Sequence, residues 1–350
     1  MSKHAKYRWD ISESAPTEYV VQIIEGDFTT ADGYSKGIPT RVTLANGWGK
    51  GRSSIASGPE EMAAPTAMSI SWFSFREDTF YRGNFELPTG KIESLLGSPR
   101  PKPYTYNEVP GGTFIVGIAP KGYVVVWLTG LGYREVVFTG TAEPVTDIPW
   151  EAVFNNPDFT KQEIMATTIQ HELDRAKDSP NLENPIYWRQ LHEELYNFDI
   201  QIEAPYTAYS MVAEFNDQTG GELFSNELEL FGKVKRSIPV SFNFDFLFPD
   251  RVPVASISIT DKDEMYAAFR KLSPDRSTRL RVVITMEGSL LSWKYQPRLR
   301  VENDEETIEI KGFRFRPVDG SKMLRHLEDH KHMQQFVNLP DKPASPRHTP

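Results

Sequence analysis

Residues 69–96 read SISWFSFREDTFYRGNFELPTGKIESLL, and this stretch specifies two strands followed by a helix. Met68, Ile70 and Trp72 alternate with Ser69, Ser71 and Phe73, the period-two rhythm of a half-buried strand. Arg76, Glu77 and Asp78 interrupt the apolar run, and Phe80, Tyr81, Phe85 and Leu87 resume it, which predicts an antiparallel hairpin. Pro88 suits the first turn of a helix, Ile92, Leu95 and Leu96 fall at helical spacing, and Gly97 stands where such a helix stops.

Working outward, Tyr19–Glu25 reads as a strand and Pro39–Leu44 as a shorter one. The Gly-rich stretches GDFTTADGYSKG and ANGWGKGRSS read as long loops. After the hairpin and helix, Thr113–Ile118, Tyr123–Thr129 and Arg134–Thr139 give three more strands, separated by Pro120-Lys121-Gly122 and by Gly130–Gly132. The pattern then changes. Thr160 and Glu163 have capping-box spacing before a helix that runs to about Lys177, and a second helix starts near Asn184-Pro185 with Trp188, Leu191 and Leu195 on one face.

Beyond this helical connector the earlier order of elements recurs. Phe198–Glu203, Met211–Phe215, Glu222–Phe224 and Glu227–Phe231 read as strands, followed by the alternating run Val240, Phe242, Phe244, Phe246, Phe248 and by the strand VASISIT. Asp261–Leu272 is a helix with a capping-box start, and further strands lie near Arg279–Met286, Leu290–Val301 and Thr307–Phe315. Strand, strand, helix and three strands is the order already met between Met68 and Thr139, which implies a diverged tandem duplication. The expected class is α+β: two related, mainly antiparallel sheet domains (residues 1–146 and 197–320), each with a packed helix, joined by a helical connector (147–196). A polar tail (321–350) ends the chain.

Composition narrows the function. The chain has 350 residues, 39% of them hydrophobic and 12% aromatic, enough for real cores and for about two domains. A net charge of −9 disfavours nucleic acid and suits an acidic face that docks on a basic protein. Cysteine is absent, which excludes disulfides, thiolate metal sites and a cysteine nucleophile. No window approaches the roughly 18 consecutive apolar residues of a membrane span. The N-terminus, MSKHAKYRWDISES, has no apolar core of a secretory signal, which leaves two expectations open: periplasmic if a signal has been removed, cytoplasmic if none has.

Gly33-Tyr34-Ser35-Lys36-Gly37 spells a nucleophile elbow, but an elbow needs a strand directly before it and a helix directly after it. A turn is the better reading. Trp48, between Gly47 and Gly49, is either a loop anchor packed on the sheet or an exposed binding contact. His326, His330 and His332 sit in the polar tail, and His171 and His192 lack the second histidine of a zinc-protease helix, so no metal is expected. The acidic runs 261–264 and 302–306 read as a helix start and a turn. Lys233–Arg236 reads as a solvated basic face.

The residues Trp72-Phe73-Ser74-Phe75, Glu77, Phe80-Tyr81, Leu87-Pro88 and Lys91-Ile92 resemble the signature of domain-of-unknown-function family 2931. Gly117–Gly122 leading into Val124–Leu128 looks like a second block of that family and Gly47-Trp48-Gly49 like a third, so the resemblance covers roughly residues 40 to 140. Members are bacterial, often envelope lipoproteins, and some lie beside type VI secretion lipase effectors. The resemblance therefore implies a non-enzymatic binding protein, an immunity protein that inhibits such a lipase, with no cofactor. Expected partner contacts are Trp48, Tyr34, Tyr104 and Tyr106 as exposed aromatic anchors. Two alternatives stand beside it: an envelope hydrolase or carbohydrate-acting enzyme using Asp or Glu, and a glycan or small-ligand binder.

Overall fold

The computed structural model describes residues 4–17, 19–53, 58–97, 111–130, 133–154, 156–175, 185–204, 208–224, 235–246, 254–289 and 294–318. Among the described residues it is mainly β, with 50% strand and 17% helix, its sheets mixed and antiparallel and its helices few and short. Strands thus outweigh helices more than the expected α+β class suggests.

In the first part of the chain lie β1 (Lys6–Ser14), β2 (Val21–Thr30), β3 (Ser35–Gly37), β4 (Thr43–Leu44), β5 (Met62–Ala63), β6 (Pro65–Ser74) and β7 (Thr79–Glu86). Helix α1 (Thr89–Gly97) follows, then β8 (Gly111–Ala119), β9 (Tyr123–Gly130), β10 (Tyr133–Thr141) and β11 (Glu143–Val145). The connector contributes α2 (Trp150–Val153), α3 (Lys161–Arg175) and α4 (Pro185–Glu193). The second part holds β12 (Phe198–Glu203), β13 (Ala208–Phe215), β14 (Gly220–Phe224), β15 (Pro239–Phe246) and β16 (Val254–Ile259). It closes with α5 (Lys262–Leu272), β17 (Leu280–Ser289), β18 (Lys294–Glu302), β19 (Thr307–Ile310) and β20 (Phe313–Val318).

The hairpin forms as the alternation predicts: β6 and β7 pair antiparallel with Trp72 opposite Tyr81 and Phe73 opposite Phe80. Its two faces bury different cores. Trp72 joins Trp9, Phe28, Phe114 and Leu128 between the β2-β6-β7 sheet and the β1-β8-β9-β10 strands, and Ile92 and Leu96 of α1 close that core. Phe73, Phe75 and Phe80 face outward and are covered by Trp150, Phe154, Ile164 and Met165 of the connector. Each fully buried Phe contributes about 1.5–3 kcal/mol, so the density of aromatics here serves two packing interfaces at once. Helix α3 starts on the capping box read from sequence: the Thr160 N–H donates to Glu163 Oε2 at 2.8 Å and the Glu163 N–H to Thr160 Oγ1 at 3.3 Å.

The pairings of the first part recur in the second. β1 runs parallel to β8, and β12 parallel to β17. β8-β9-β10 and β17-β18-β19 are antiparallel ladders. β2 pairs with β3 and β6 as β13 pairs with β14 and β15, and β6-β7-β11 corresponds to β15-β16-β20. A short ladder, Tyr133 opposite Gly221 and Arg134 opposite Gly220, joins β10 to β14, so one sheet path of ten strands runs through both parts.

Several local expectations are corrected. Residues 26–37 are not a loop: β2 continues to Thr30 and turns back into β3. Gly26 sits within β2 because a Cβ there would lie 2.9 Å from Ile38 Cδ1 and 3.1 Å from the Ser69 carbonyl oxygen, a need for close approach rather than for a turn. Only Thr43–Leu44 of the expected strand at 39–44 is extended, since Arg41 turns the chain at φ 61°. Residues 307–315 form two strands, divided at Lys311-Gly312, whose N–H groups both donate to the Glu264 carboxylate at the start of α5. The strand expected at 227–231, the tail at 321–350, and Tyr104 and Tyr106 lie outside the described residues.

Candidate functional site

Residues of the signature blocks meet at two places. The first is Glu77, in the turn between β6 and β7. Its backbone N–H donates to Ser74 Oγ at 3.2 Å, the Tyr19 hydroxyl donates to Oε2, and the Lys121 N–H donates to Oε1 at 3.0 Å. Lys121 and Gly122 both have positive φ, and a Cβ on Gly122 would lie 2.2 Å from the Ala142 carbonyl oxygen, so this turn needs its glycine. Tyr81 stacks on Trp72 at 5.3 Å beside it. Burial, and after it the Glu77 charge, push the Tyr81 hydroxyl up to about 12 and move Tyr19 in the same direction. Both phenols therefore stay protonated near neutral pH and act as donors. The arrangement braces two turns and supplies no acid–base pair.

The second is the seam around Trp48. Asn46 holds the loop to β1, taking the Ala15 N–H on Oδ1 at 3.4 Å and donating from Nδ2 to the Glu13 carbonyl at 3.3 Å. Gly47 and Gly49 have φ of 105° and 68°, and the Gly49 N–H donates to Ser14 Oγ at 3.2 Å. Trp48 lands edge-on to Trp127 at 4.9 Å, over Gly117, where a Cβ would lie 2.4 Å from the Trp127 ring. Trp127 Nε1 donates at 3.0 Å to the carbonyl of Asp217, in the turn between β13 and β14. The Asp217 carboxyl is pushed up to about 6 by burial, against the N–H and hydroxyl of Thr219 that work to lower it. The expected exposed anchor Trp48 is therefore corrected: it is 7% exposed and locks the first part of the chain to the second.

His192 completes the seam. Its ring lies 5.8 Å from Trp48, 5.6 Å from Trp127 and 6.2 Å from Tyr123, and neither nitrogen has a hydrogen-bond partner. Burial drives its pKa down to about 3, so the imidazole is neutral. The reading of His192 as a surface residue is thus overturned. A signal was available, because His192 lies four residues after Trp188 and three before Leu195, on the apolar stripe of its helix. Arg236 departs from a solvated basic face as well, lying over the Phe215 ring at 5.5 Å and 3.9 Å from Glu135.

Other carboxylates are engaged in the framework. Asp261 caps α5 by accepting the Glu264 N–H at 2.9 Å, and Glu302 pairs with Arg281 and Arg300 at 3.0 and 3.1 Å. Glu194 is buried and receives Arg270 through two nitrogens at 2.7 and 2.8 Å, the Tyr196 hydroxyl at 2.5 Å and Gln190 at 2.6 Å. Burial works to raise its pKa, but these donors outweigh it and hold the carboxyl down to about 2. Glu194→Ala is expected to lose about 2 kcal/mol in denaturant unfolding, below the figure for a fully buried pair because Arg270 is 53% exposed. A loss under 0.5 kcal/mol would show that this clasp between α4 and α5 is dispensable.

Of the residues expected at a partner contact, Tyr34 is exposed. It is 49% exposed at the tip of the β2–β3 hairpin, which is held by its N–H to Thr30 Oγ1 at 3.1 Å and by the Thr30 N–H to the Tyr34 carbonyl at 2.9 Å. Ser35 donates to Asp27 on this hairpin, and no helix follows, so the elbow geometry is missing. Lys36 is buried, with Nζ 2.8 Å from the Trp9 carbonyl and 2.6 Å from Asp10. Among the described residues no group of three or more His, Asp or Glu could hold a metal, and no helix is long and apolar enough to cross a membrane.

Fold and seam together define a mainly β protein in which two sheet systems are joined at a buried Trp48–Trp127 pair with the partly buried His192 against it. The chain belongs to the DUF2931 family, described as a protein of unknown function, whose model matches residues 1–206 and so reaches through the connector into β12. Neither the curated proteins nor the solved structures contain a match.

Proposed function

We propose that this protein is a non-enzymatic binding protein, an immunity protein that binds and inhibits a lipase-like effector of type VI secretion. The observation that carries the reading is Tyr34: a large aromatic ring projecting from a hairpin that is hydrogen-bonded across its own turn, while Glu77 and Glu194 are engaged in bracing the fold. A rigid exposed tyrosine loses little entropy on docking, which is what a hot-spot residue needs. The family resemblance supplies the partner class, and the net charge of −9 suits a basic effector surface. We place the protein in the periplasm, where an incoming phospholipase acts. The recurrent strand pairings support two related α+β units joined by helices, offering a surface ample for an interface of about 800 Å² per partner.

The test is to look beside its gene for one encoding a lipase-like protein, to mix that protein with the purified chain, and to follow both complex formation by calorimetry and lipase turnover. A stable complex and loss of turnover at equimolar protein are expected. Full turnover with no complex would end the reading. Within that assay Tyr34→Ala is expected to weaken binding at least tenfold, about 1.4 kcal/mol, with the thermal midpoint little changed because the hydrogen bonds that hold the hairpin use the Tyr34 backbone and Thr30, which the variant keeps.

A further inference from the structure

Lys262 opens α5, one place after the cap Asp261. The residue is exposed, yet its amine reaches the turn between β13 and β14, where Nζ donates at 2.8 Å to Asn216 Oδ1. Asn216 is 2% exposed and passes the contact on, its Nδ2 donating to the Tyr266 hydroxyl at 3.1 Å. Among the described residues no carboxylate forms an ion pair with Lys262. Of the acids on α5 and in that turn, Asp263 is exposed and the others are committed elsewhere. Asp261 takes the Glu264 N–H at 2.9 Å, Glu264 the N–H groups of Lys311 and Gly312 at 3.1 and 2.6 Å, and Asp217 the N–H and hydroxyl of Thr219 at 3.0 and 2.7 Å.

Three influences oppose the positive charge at this amine. Its partner is a neutral amide, its tip is drawn out of water, and it stands in the first turn of a helix, where backbone N–H groups already present positive partial charge. Burial accordingly lowers its pKa from 10.5. Other lysines are held differently. Lys36, Lys161 and Lys271 pair with Asp10, Asp78 and Glu306, and Lys91 donates to the Val136 carbonyl at the exposed surface, where water supports its charge.

We infer that Lys262 is an acylation site, whose amine takes the acyl group of a small acyl phosphate. The neutral amine attacks the acyl carbon, a C–N bond forms, and the bond from that carbon to the phosphate oxygen breaks. Phosphate leaves with the electron pair and takes one of the two protons that nitrogen sheds between ammonium and amide; the other goes to water. The amide keeps one N–H, so Asn216 Oδ1 retains its donor while the disfavoured charge is removed. An aldehyde would instead leave a neutral imine nitrogen with no N–H, and the buried Asn216 oxygen would lose that donor. The site therefore favours acyl transfer over imine formation. Nothing in this step depends on the binding-protein reading above.

The experiment treats the folded full chain with limiting acetyl phosphate at about pH 7.5 and reads acetylation of each lysine by peptide mass spectrometry. Lys262 is expected to react at least threefold faster than Lys91 and Lys271. Rates equal to theirs would overturn the inference. Asn216→Asp sets a carboxylate beside the amine, and is expected to slow Lys262 at least threefold while Lys91 and Lys271 keep their rates. The thermal midpoint checks that this variant is folded; an unchanged Lys262 rate in the folded variant also overturns the inference. Where the variant does not fold, the wild-type comparison alone decides.

Discussion

Trp127→Ala is expected to destabilise the protein by about 3–5 kcal/mol and to split its unfolding into two transitions. The indole is fully buried on the face of β9 that looks toward the second part of the chain, edge-on to Trp48 and 5.6 Å from His192. Its Nε1 reaches the Asp217 carbonyl in the β13–β14 turn, so truncation opens a cavity and also strands an acceptor across the joint. The neighbours cannot collapse into the space. Gly117 beneath the ring has no side chain to offer, and Trp48 is pinned by a loop whose Gly49 donates to Ser14. Trp127→Phe keeps most of the volume and removes only the donor, so a loss of about 1–2 kcal/mol is expected. Guanidinium unfolding followed by tryptophan fluorescence and by circular dichroism reads both the size and the cooperativity. A loss under 1 kcal/mol with a single coincident transition would show that the two parts are held together elsewhere.

The contrast between Trp72 and Trp48 shows what sequence could and could not reveal. Trp72 lies in a strand whose alternation is complete within ten residues, and its stacking partner Tyr81 lies across a tight hairpin, so local periodicity reaches its environment. Trp48 sits between two glycines in a segment with no period. Its burial depends on Gly117, Trp127 and His192, which arrive from three distant segments. The same limit hid β1: Trp9 and Ile11 alternate, but Glu13 breaks the pattern, and the partner of β1 is β8, in a parallel pairing that no turn announces. The recurrence of elements was legible because each hairpin and each cap is local. The β10–β14 ladder that joins the two parts was not, because it consists of two residue pairs whose side of contact is Gly220-Gly221. Tyr34 is exposed because it sits at a hairpin tip, and that hairpin was read from sequence as a loop because its glycines and polar residues hide the pairing of β2 with β3.

His192→Leu is expected to make the protein more resistant to acid than the wild type. The folded state holds the imidazole neutral down to about pH 3, whereas the unfolded chain protonates it near 6.5. Between these values unfolding takes up a proton, so the wild type loses stability as pH falls, by as much as about 1.4 kcal/mol per pH unit. Above 6.5 the contribution is fully present. Asp217, in the same seam, works in the opposite sense: its carboxyl is raised to about 6, so the folded state binds a proton more readily than the unfolded chain, and falling pH through that value is stabilising. The two terms partly cancel in the wild type between about pH 6 and 4, and the raw curve hides both. Removing the imidazole leaves the Asp217 term unopposed. Arg189, which lies over Tyr123 at 5.4 Å, and Glu193, which also acts on Tyr123, are retained in the variant, so the difference between the curves reads His192. From pH 7.5 to 4.5 the variant is expected to gain about 2–3 kcal/mol relative to wild type in urea unfolding. Parallel curves over that range would mean that water reaches the imidazole, and that the joint between the two parts is open where the structure has it closed.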